Sequence, residues 1–138
     1  GVIGVSAGHD LTIAILQNGS LKEWGEHPIE IPNDLSNVSM VSMGSEFIVA
    51  LKQDGTVVAF GNNSNGQVKV PSGLSDVIKI ATGFSHTVVL KKDGTVVAWG
   101  SNEFGQINLG VDLPPVEDIA AAGNVTVLLF KEDKLDLK

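Results

Sequence analysis

The sequence predicts an all-β fold of consecutive β-propeller blades, with three full repeats and a truncated fourth. A Val/Ile-rich segment ending in Gly occurs four times, at Gly8, Gly44, Gly83 and Gly123, so the repeat is about 40 residues long. A second apolar segment follows each Gly, and in three copies a third segment ends in an aromatic residue and Gly. No segment shows the roughly 3.6-residue apolar period of a helix, which favours blades over a helical solenoid.

The second and third segments of each copy are predicted to form a β-hairpin. Between them lies an Asn-Gly or Asp-Gly dipeptide, at residues 18–19, 54–55 and 93–94. Asn, Asp and Gly tolerate positive φ best, so we expect a type I′ turn, which needs positive φ at both central positions. The turn also accounts for Asp54 and Asp93 without an acid-base role.

The first and third segments carry the residues that pack one blade on the next. Small side chains stand beside the Gly of the first segment, as a strand needs where several blades crowd around an axis. The third segment ends in Trp24, Phe60 or Trp99, each large enough to cover a neighbouring blade. The Pro-containing segments that follow are at most edge strands leading into linkers, at residues 29–35, 68–74 and 107–115.

We expect one repeat domain over residues 1–138, with repeats at residues 2–37, 38–76, 77–115 and 116–138. The fourth repeat has Lys134 at the turn-Gly position and ends at Lys138, one residue before its aromatic position. A blade needs a neighbour on both sides to bury its apolar faces, so an incomplete ring has two open ends. We therefore expect either a homodimer completing a ring of about six or seven blades, or a chain that is a fragment of a longer one.

The composition argues against several classes of function. The chain has 9 basic and 16 acidic residues and a formal net charge of −7, so it lacks the basic stripe that nucleic-acid binding requires. It has no Cys, which removes thiolate nucleophiles and Cys-based metal sites. No apolar run reaches the roughly 18–20 residues that span a bilayer. We expect no nucleic-acid partner, no membrane contact and no cofactor.

The histidines do not indicate a catalytic or metal site. His9 and His27 have no companion at metal-ligand spacing, so no metal is expected. His86 is interpreted as a half-buried structural residue that hydrogen-bonds the backbone. At its position we align Leu11, Phe47 and Thr126 of the other copies. We predict no catalytic residue and do not expect an enzyme.

Two copies resemble the repeat of the regulator of chromosome condensation family, particularly its bacterial versions. The resemblance rests on Gly, His-Thr, Asp-Gly, Trp-Gly and Asn-x-x-Gly-Gln in order at fixed offsets, in residues 51–67 and 86–106. It extends over essentially the whole chain, although the first copy lacks the Asn-x-x-Gly-Gln loop. It implies a ring of about seven four-stranded blades.

The loops after each first Gly and after each aromatic-Gly pair are predicted to share one face. This face varies most between copies, and scaffolds vary their loops where they recognise partners. We place a binding surface there, with Phe84 and Phe104 as anchors, because aromatic residues dominate binding hot spots. The other candidate binding residues are His9, Asp10, Glu46 and Glu103. The alternative for Phe84 is that it packs on the next blade.

Three functions from different classes stay open, in this order. The first is a non-catalytic protein-protein interaction scaffold, for which an extracellular or cell-surface location is preferred. The resemblance also implies a second function, guanine-nucleotide exchange on a small GTPase, as in the family's founding member. The third is a structural subunit of a virion or surface assembly, held together by the open ends. Fold alone does not choose among them.

Overall fold

The computed structural model describes residues 1–132, so Lys134 and the end of the fourth repeat lie outside the described residues. These residues form eleven strands and no helix. In chain order the strands are β1 (Val2–Ala7), β2 (Leu11–Leu16), β3 (Leu21–Gly25), β4 (Val38–Met43), β5 (Phe47–Lys52), β6 (Val57–Gly61), β7 (Val77–Thr82), β8 (His86–Lys91), β9 (Val96–Gly100), β10 (Val116–Ala122) and β11 (Val125–Phe130).

The all-β prediction is confirmed by four antiparallel sheets that follow one another along the chain. We call them blade 1 (β1-β2-β3), blade 2 (β4-β5-β6), blade 3 (β7-β8-β9) and blade 4 (β10-β11). The first strand of each blade lies beside the first strand of the next blade. Strands β1, β4, β7 and β10 therefore form the inner side of an arc of blades, as in a propeller.

The hairpin turns differ from the sequence prediction. The turn glycines have positive φ, at Gly19 (78°), Gly55 (83°) and Gly94 (86°), but the Asn or Asp before each of them does not. In blade 2 the Gly55 N–H donates to Lys52 O at 3.0 Å, which closes a type I turn followed by a left-handed Gly. The type I′ prediction was therefore wrong. Asp54 instead fixes this three-residue loop by accepting hydrogen bonds from the Thr56 N–H and hydroxyl.

The turn glycines also connect consecutive blades. Each Gly carbonyl accepts the N–H of the first residue of the next blade, in the pairs Val38–Gly19, Val77–Gly55 and Val116–Gly94. The contact leaves no room for a side chain at Gly19, where a methyl group would lie 2.8 Å from the Asn37 backbone. Each hairpin turn is therefore docked on the segment that enters the following blade.

The possible fourth, outer strand is not formed in the described blades. Residues 29–35, 68–74 and 107–115 contain turns and pair with no strand. Pro32 and Pro71 lack the N–H that a ladder needs, and their carbonyls accept instead from residues three positions on, Leu35 and Leu74. These segments therefore serve as linkers between blades.

The fourth repeat is displaced by one residue relative to the sequence alignment. Phe130 pairs with Val116 as Lys91 pairs with Val77, which places Val125 opposite the end of the inner strand where His86 stands in blade 3. The alignment of Thr126 with His86 was therefore wrong. The reason is that Gly123, with φ of 54°, turns the chain in blade 4, whereas the corresponding glycines of the other blades have no positive φ.

An apolar core fills each of the three blade interfaces. In the middle strand β5, Phe47, Val49 and Leu51 pack towards blade 3, while Ile48 and Ala50 pack towards blade 1. All five are at most 4% exposed. Since full burial of a large apolar side chain contributes roughly 1.5–3 kcal/mol, each blade is stabilised mainly by its neighbours.

Hydrogen bonds to carbonyls of the Asn-x-x-Gly-Gln loops cross two of these interfaces. The buried Gln67 ends this loop in blade 2, and its backbone carbonyl accepts Trp99 Nε1 at 2.9 Å and Thr87 Oγ1 at 3.4 Å, both from blade 3. In blade 3 the Gln106 carbonyl accepts Thr126 Oγ1 of blade 4 at 2.7 Å. The donors satisfy carbonyls that would be costly to bury without a partner.

Both ends of the arc expose apolar side chains at positions that are buried in the inner blades. Val5 is 65% exposed, whereas Val41 at the same place in blade 2 is 8% exposed. We define the head face of blade 1 by Val2, Val5, Thr12 and Trp24. We define the tail face of blade 4 by Val125, Val127 and Leu129, all more than half exposed. Each face is one half of an interface that recurs inside the arc.

Close packing at the strand ends predicts different costs for two Gly→Ala variants of blade 3. Gly100 has φ of 104°, and a methyl group there would lie 2.5 Å from the Ser85 carbonyl oxygen. We expect Gly100→Ala to lower the free energy of unfolding by about 3 kcal/mol or more, from strain plus overlap. Gly105 has φ of 76° and open space around it, so Gly105→Ala should cost about 1–2 kcal/mol. Urea unfolding measures both, and equal losses would contradict the close approach.

Candidate functional site

An open cleft of about 720 Å³ lies where the inner strands of all four blades end. Its walls are the loops that follow Gly8, Gly44 and Gly83, together with residues 121–123. Of the six predicted binding residues, four line this cleft: His9, Asp10, Glu46 and Phe84. The fold thus brings together side chains that come from three different repeats. We call this feature the inner cleft.

Two histidines flank one carboxylate at the blade 1 side of the inner cleft. His9 Nδ1 lies 2.9 Å from Asp10 Oδ1, and His27 Nδ1 lies 3.8 Å from Asp10 Oδ2. The Glu26 N–H donates to the Asp10 carbonyl at 3.3 Å, which brings the segment after β3 to this loop. The hydrogen bond and the charge of Asp10 raise the pKa of His9. Both histidines are exposed.

Glu46 supplies a second carboxylate to the inner cleft. Asn62 Nδ2 donates to Glu46 Oε2 at 2.7 Å, and the Asn62 N–H donates to the Glu46 carbonyl at 2.8 Å. The first bond holds the Glu46 side chain, and the second holds its backbone, both from the loop after β6. Together with Asp10, Glu46 gives the cleft an acidic wall, in a chain whose net charge is already −7. Such a wall favours cationic groups.

Phe84 joins the inner cleft to blade 4. Its carbonyl accepts the Ser45 N–H at 3.0 Å, and its N–H donates to the Gly123 carbonyl at 2.8 Å, so its backbone links three blades. Its ring lies near Gly123, where a methyl group would be 3.7 Å from Phe84 Cε2. The side chain nevertheless stays 58% exposed. Phe84 therefore leans on the next blade and also presents an aromatic surface to the cleft.

Glu103 and Phe104 do not line the inner cleft. They lie in the Asn-x-x-Gly-Gln loop of blade 3, at the same end of the sheets, since the Ser101 N–H donates to the Ser85 carbonyl at 2.8 Å. The Phe104 N–H donates to Gln106 Oε1, and the ring is 67% exposed. The structure thus separates these two predicted residues from the other four.

His86 is fully buried between blades 3 and 4 and forms part of their interface. Its Nε2 lies 2.9 Å from Thr126 Oγ1. The Thr126 hydroxyl donates its proton to the Gln106 carbonyl, so it accepts from His86, which therefore carries its proton on Nε2. Burial lowers the pKa of His86, and a hydrogen bond with the Val125 backbone raises it in part. The role of His86 is therefore structural, and the Thr126 hydroxyl is a partner in addition to the expected backbone group.

The remaining titratable candidates lie away from the inner cleft. Hydrogen bonds from the hydroxyl and N–H of Thr56 and Thr95 lower the pKa of Asp54 and Asp93, respectively, in the hairpin turns. Within residues 1–132 no group of three or more His, Asp or Glu side chains is placed to hold a metal ion. The same part of the chain contains no helix long and apolar enough to cross a membrane.

Sequence reasoning missed part of the cleft wall. His27, Pro28 and Ile29 line it beside Asp10, and Met43 lines it from blade 2. The first copy lacks the Asn-x-x-Gly-Gln loop. Without that motif, nothing in the sequence indicated that the segment after Trp24 lies near the ends of the inner strands. The only hint was that this copy departs from the pattern of the other two.

Two segments of the chain match the family model described as the regulator of chromosome condensation (RCC1) repeat, at residues 38–67 and 77–106. Each match runs from the first residue of an inner strand to the Gln that ends the following loop. These two segments are RCC1 repeats. The resemblance seen in the sequence is thereby confirmed for blades 2 and 3, including the loops that cross to the next blade.

Solved structures share the fold of this chain. Prp20p from Saccharomyces cerevisiae, described with its binding properties to Gsp1p and histones, matches with a TM-score of 0.76 and 22% identity, over 94% of this chain and 41% of that chain. The ectodomain of the receptor kinase CR4 from Physcomitrella patens matches with a TM-score of 0.78 and 18% identity, over 95% of this chain and 38% of that one. This chain spans less than half of the length of each of these two proteins. At these identities the likeness shows the fold alone.

The lowered pKa of His86 predicts a loss of stability in mild acid. A folded-state pKa below the ordinary value of 6.5 means that the unfolded chain takes up the proton first. The stabilisation is therefore present above about pH 6.5 and is lost as the pH falls below it. We expect His86→Phe to weaken this dependence between about pH 7.5 and pH 5.5, measured by urea unfolding. Phe is a fitting substitute because Phe47 begins β5 as His86 begins β8.

The control for the acid dependence is His9→Asn. His9 has a raised pKa, so its contribution has the opposite sign and is lost as the pH rises. A pH dependence that is unchanged in His86→Phe and altered only in His9→Asn would contradict the assignment to His86.

Proposed function

We propose that the chain is a non-catalytic protein-interaction module that binds a cationic segment of another protein in the inner cleft. The single observation that carries this proposal is that Asp10, Glu46 and Phe84 from three repeats line one open cleft. A cavity that combines apolar surface with a few convergent polar groups is the usual form of a binding site. RCC1 repeats support an interaction role, since Prp20p is described with binding to Gsp1p and histones, and another structure contains Kap60 bound to it.

The proposed partner is a Lys- or Arg-bearing peptide segment. The carboxylates of Asp10 and Glu46 attract a cation, and the exposed ring of Phe84 offers a face for a cation-π contact. The net charge of −7 favours the approach of such a partner at low ionic strength. Protonation of His9 adds positive charge to the cleft, so binding is expected to weaken in mild acid.

A scaffold role is proposed over catalysis because the described titratable groups are engaged structurally. His86 is buried and hydrogen-bonded to Thr126, while Asp54 and Asp93 are held by turn residues. His9 and His27 contact one exposed carboxylate and no hydroxyl nucleophile among the residues that the structure describes. This environment gives no activated nucleophile of the kind that covalent catalysis uses.

The open ends of the arc also affect binding in the inner cleft. The head face and the tail face carry apolar groups that an assembled propeller would cover. Two assemblies do so: a ring completed by a second copy and a ring completed by further repeats. Either would add loops to the far side of the inner cleft and enclose the bound segment more fully.

Binding of short synthetic peptides tests the cleft. We expect peptides with Arg and an apolar residue to bind, and the same peptides with Glu in place of Arg not to bind, as measured by fluorescence anisotropy. Glu46→Gln should weaken the complex and flatten its salt dependence. Phe84→Ala should weaken it on the order of tenfold, as loss of an aromatic anchor does.

The matched control is Phe104→Ala, because Phe104 is an aromatic residue outside the cleft that is also more than half exposed. This variant should bind as the unmodified chain does. Equal losses in Phe84→Ala and Phe104→Ala would place the binding surface on the wider loop face, and no effect of either variant would remove the inner cleft from consideration.

A further inference from the structure

A pair of donors in one blade matches a loop in the blade before it. In blade 3, Thr87 and Trp99 are direct cross-strand partners, and both donate to the carbonyl of Gln67. This carbonyl ends the Asn-x-x-Gly-Gln loop of blade 2. The pair and the loop are thus two halves of one hydrogen-bonded contact, separated by about 20 to 30 residues of sequence.

Blade 2 shows what happens when the preceding blade has no such loop. The same cross-strand pair in blade 2 is Ile48 and Phe60, and neither side chain can donate a hydrogen bond. Blade 1, which precedes it, carries residues 26–31 instead of an Asn-x-x-Gly-Gln sequence. The apolar pair packs with Ile29 and Ile31 of that segment in the blade 1–2 core. Donors are therefore present where the loop is present and absent where it is absent.

Blade 1 carries the donor pair. Thr12 and Trp24 are direct cross-strand partners, as Thr87 and Trp99 are in blade 3. Both lie on the head face, and Trp24 is 49% exposed where Trp99 is 7% exposed. Among the described residues neither Thr12 Oγ1 nor Trp24 Nε1 has a hydrogen-bond acceptor. The head face therefore holds one half of the contact seen between blades 2 and 3.

The apolar residues of the head face also match those of an internal blade interface. Val5 occupies the place of Ile80 in blade 3, which is 4% exposed and packs in the interface with blade 2. Val2 occupies the place of Val77, also buried in that interface. One difference is Lys22, which stands where blade 3 has Val97 and lies 5.4 Å from the centre of the Trp24 ring. Its long side chain can move aside on docking.

We propose that the head face is a docking surface for an additional RCC1-type blade that ends in an Asn-x-x-Gly-Gln loop. The Gln carbonyl of that loop accepts Thr12 Oγ1 and Trp24 Nε1, and the apolar residues of that blade cover Val2 and Val5. The surface continues the series of blade interfaces inside the arc. The inference does not depend on which partner the inner cleft binds.

The described tail face of a second copy fits this surface less well. Blade 4 offers strands β10 and β11 and no Asn-x-x-Gly-Gln loop within residues 1–132. The two loops that the chain does contain are already engaged, Gln67 by blade 3 and Gln106 by blade 4. A second copy docked through the described part of its blade 4 would cover the apolar residues of the head face and offer no loop carbonyl to the two donors, which are costly to bury unpaired.

Two extended chains test the proposal. In the first, a duplicate of residues 77–115 replaces Gly1, so that a blade with a loop precedes Val2 just as it precedes Val116. In the second, a duplicate of residues 2–37, which has no loop, replaces Gly1 and precedes Val2 as it precedes Val38. Hydroxyl-radical footprinting with mass spectrometry measures modification of Trp24, with the buried Trp99 as internal reference. Phe replaces the second copy of Trp99 or Trp24 that each duplicate introduces, so that each readout refers to one residue.

We expect the loop-bearing extension to reduce Trp24 modification several-fold relative to the unmodified chain. The double variant Thr12→Val/Trp24→Phe should lower the melting temperature of this extended chain by several degrees, and change it little in the loop-less extension and in the unmodified chain. Trp24 that stays fully reactive behind the loop-bearing blade would overturn the proposal. So would equal effects of the double variant in both extensions.

Two further measurements apply to the unmodified chain. Thr87→Val/Trp99→Phe should lower its melting temperature, because this pair is engaged, whereas Thr12→Val/Trp24→Phe should not. No loss in the first variant would remove the basis of the proposal. Light scattering then decides about the second copy: a dimer in which Trp24 is protected at high protein concentration would replace the proposed blade as the occupant.

Discussion

The interface between consecutive blades is the interaction on which the rest of the structure depends. A middle strand such as β5 is buried on both of its faces, so no blade has a core of its own. Three kinds of bond join neighbouring blades. The turn glycines bond the next blade at one end of the sheets, while Phe84 and, where the loop is present, the Asn-x-x-Gly-Gln carbonyls bond neighbouring blades at the other end. Stability in such an array is a sum over neighbours.

The inner cleft is a consequence of this packing. The inner strands end side by side, and the glycines that end them leave room for larger residues to fold back over the chain. A methyl group on Gly44 would overlap the ring of Phe47, and one on Gly83 would overlap the ring of His86. These rings fill the space behind the loops, and side chains of the loops line one shared cavity. Acidic and aromatic residues from different repeats thereby act together.

Much of the fold could be predicted from the sequence because the repeat encodes it locally. The four sheets follow from the recurring apolar segments and their glycines, and four of six proposed binding residues line one cleft. The turn type was missed because Asp-Gly suits two kinds of loop, and the side chain of Asp54 decides between them by bonding Thr56. The register of blade 4 was missed because Gly123 has a positive φ and turns the chain, unlike the corresponding glycines of the other blades. Phe104 lies away from the cleft because of the path of its loop. The spacing of residues along the sequence does not determine that path.

Differences between the copies are as informative as their likeness. Trp99 and Phe60 occupy the same position, and either would satisfy a search for an aromatic residue before Gly. Only the structure shows that the Trp donates to the Gln67 carbonyl of the blade before it, while the Phe packs on an apolar segment. A buried donor and its acceptor have to be kept or lost together, since either one alone is penalised. Blades 2 and 3 therefore each match the kind of blade that precedes them, and these two could not exchange places without leaving a donor or an acceptor unpaired.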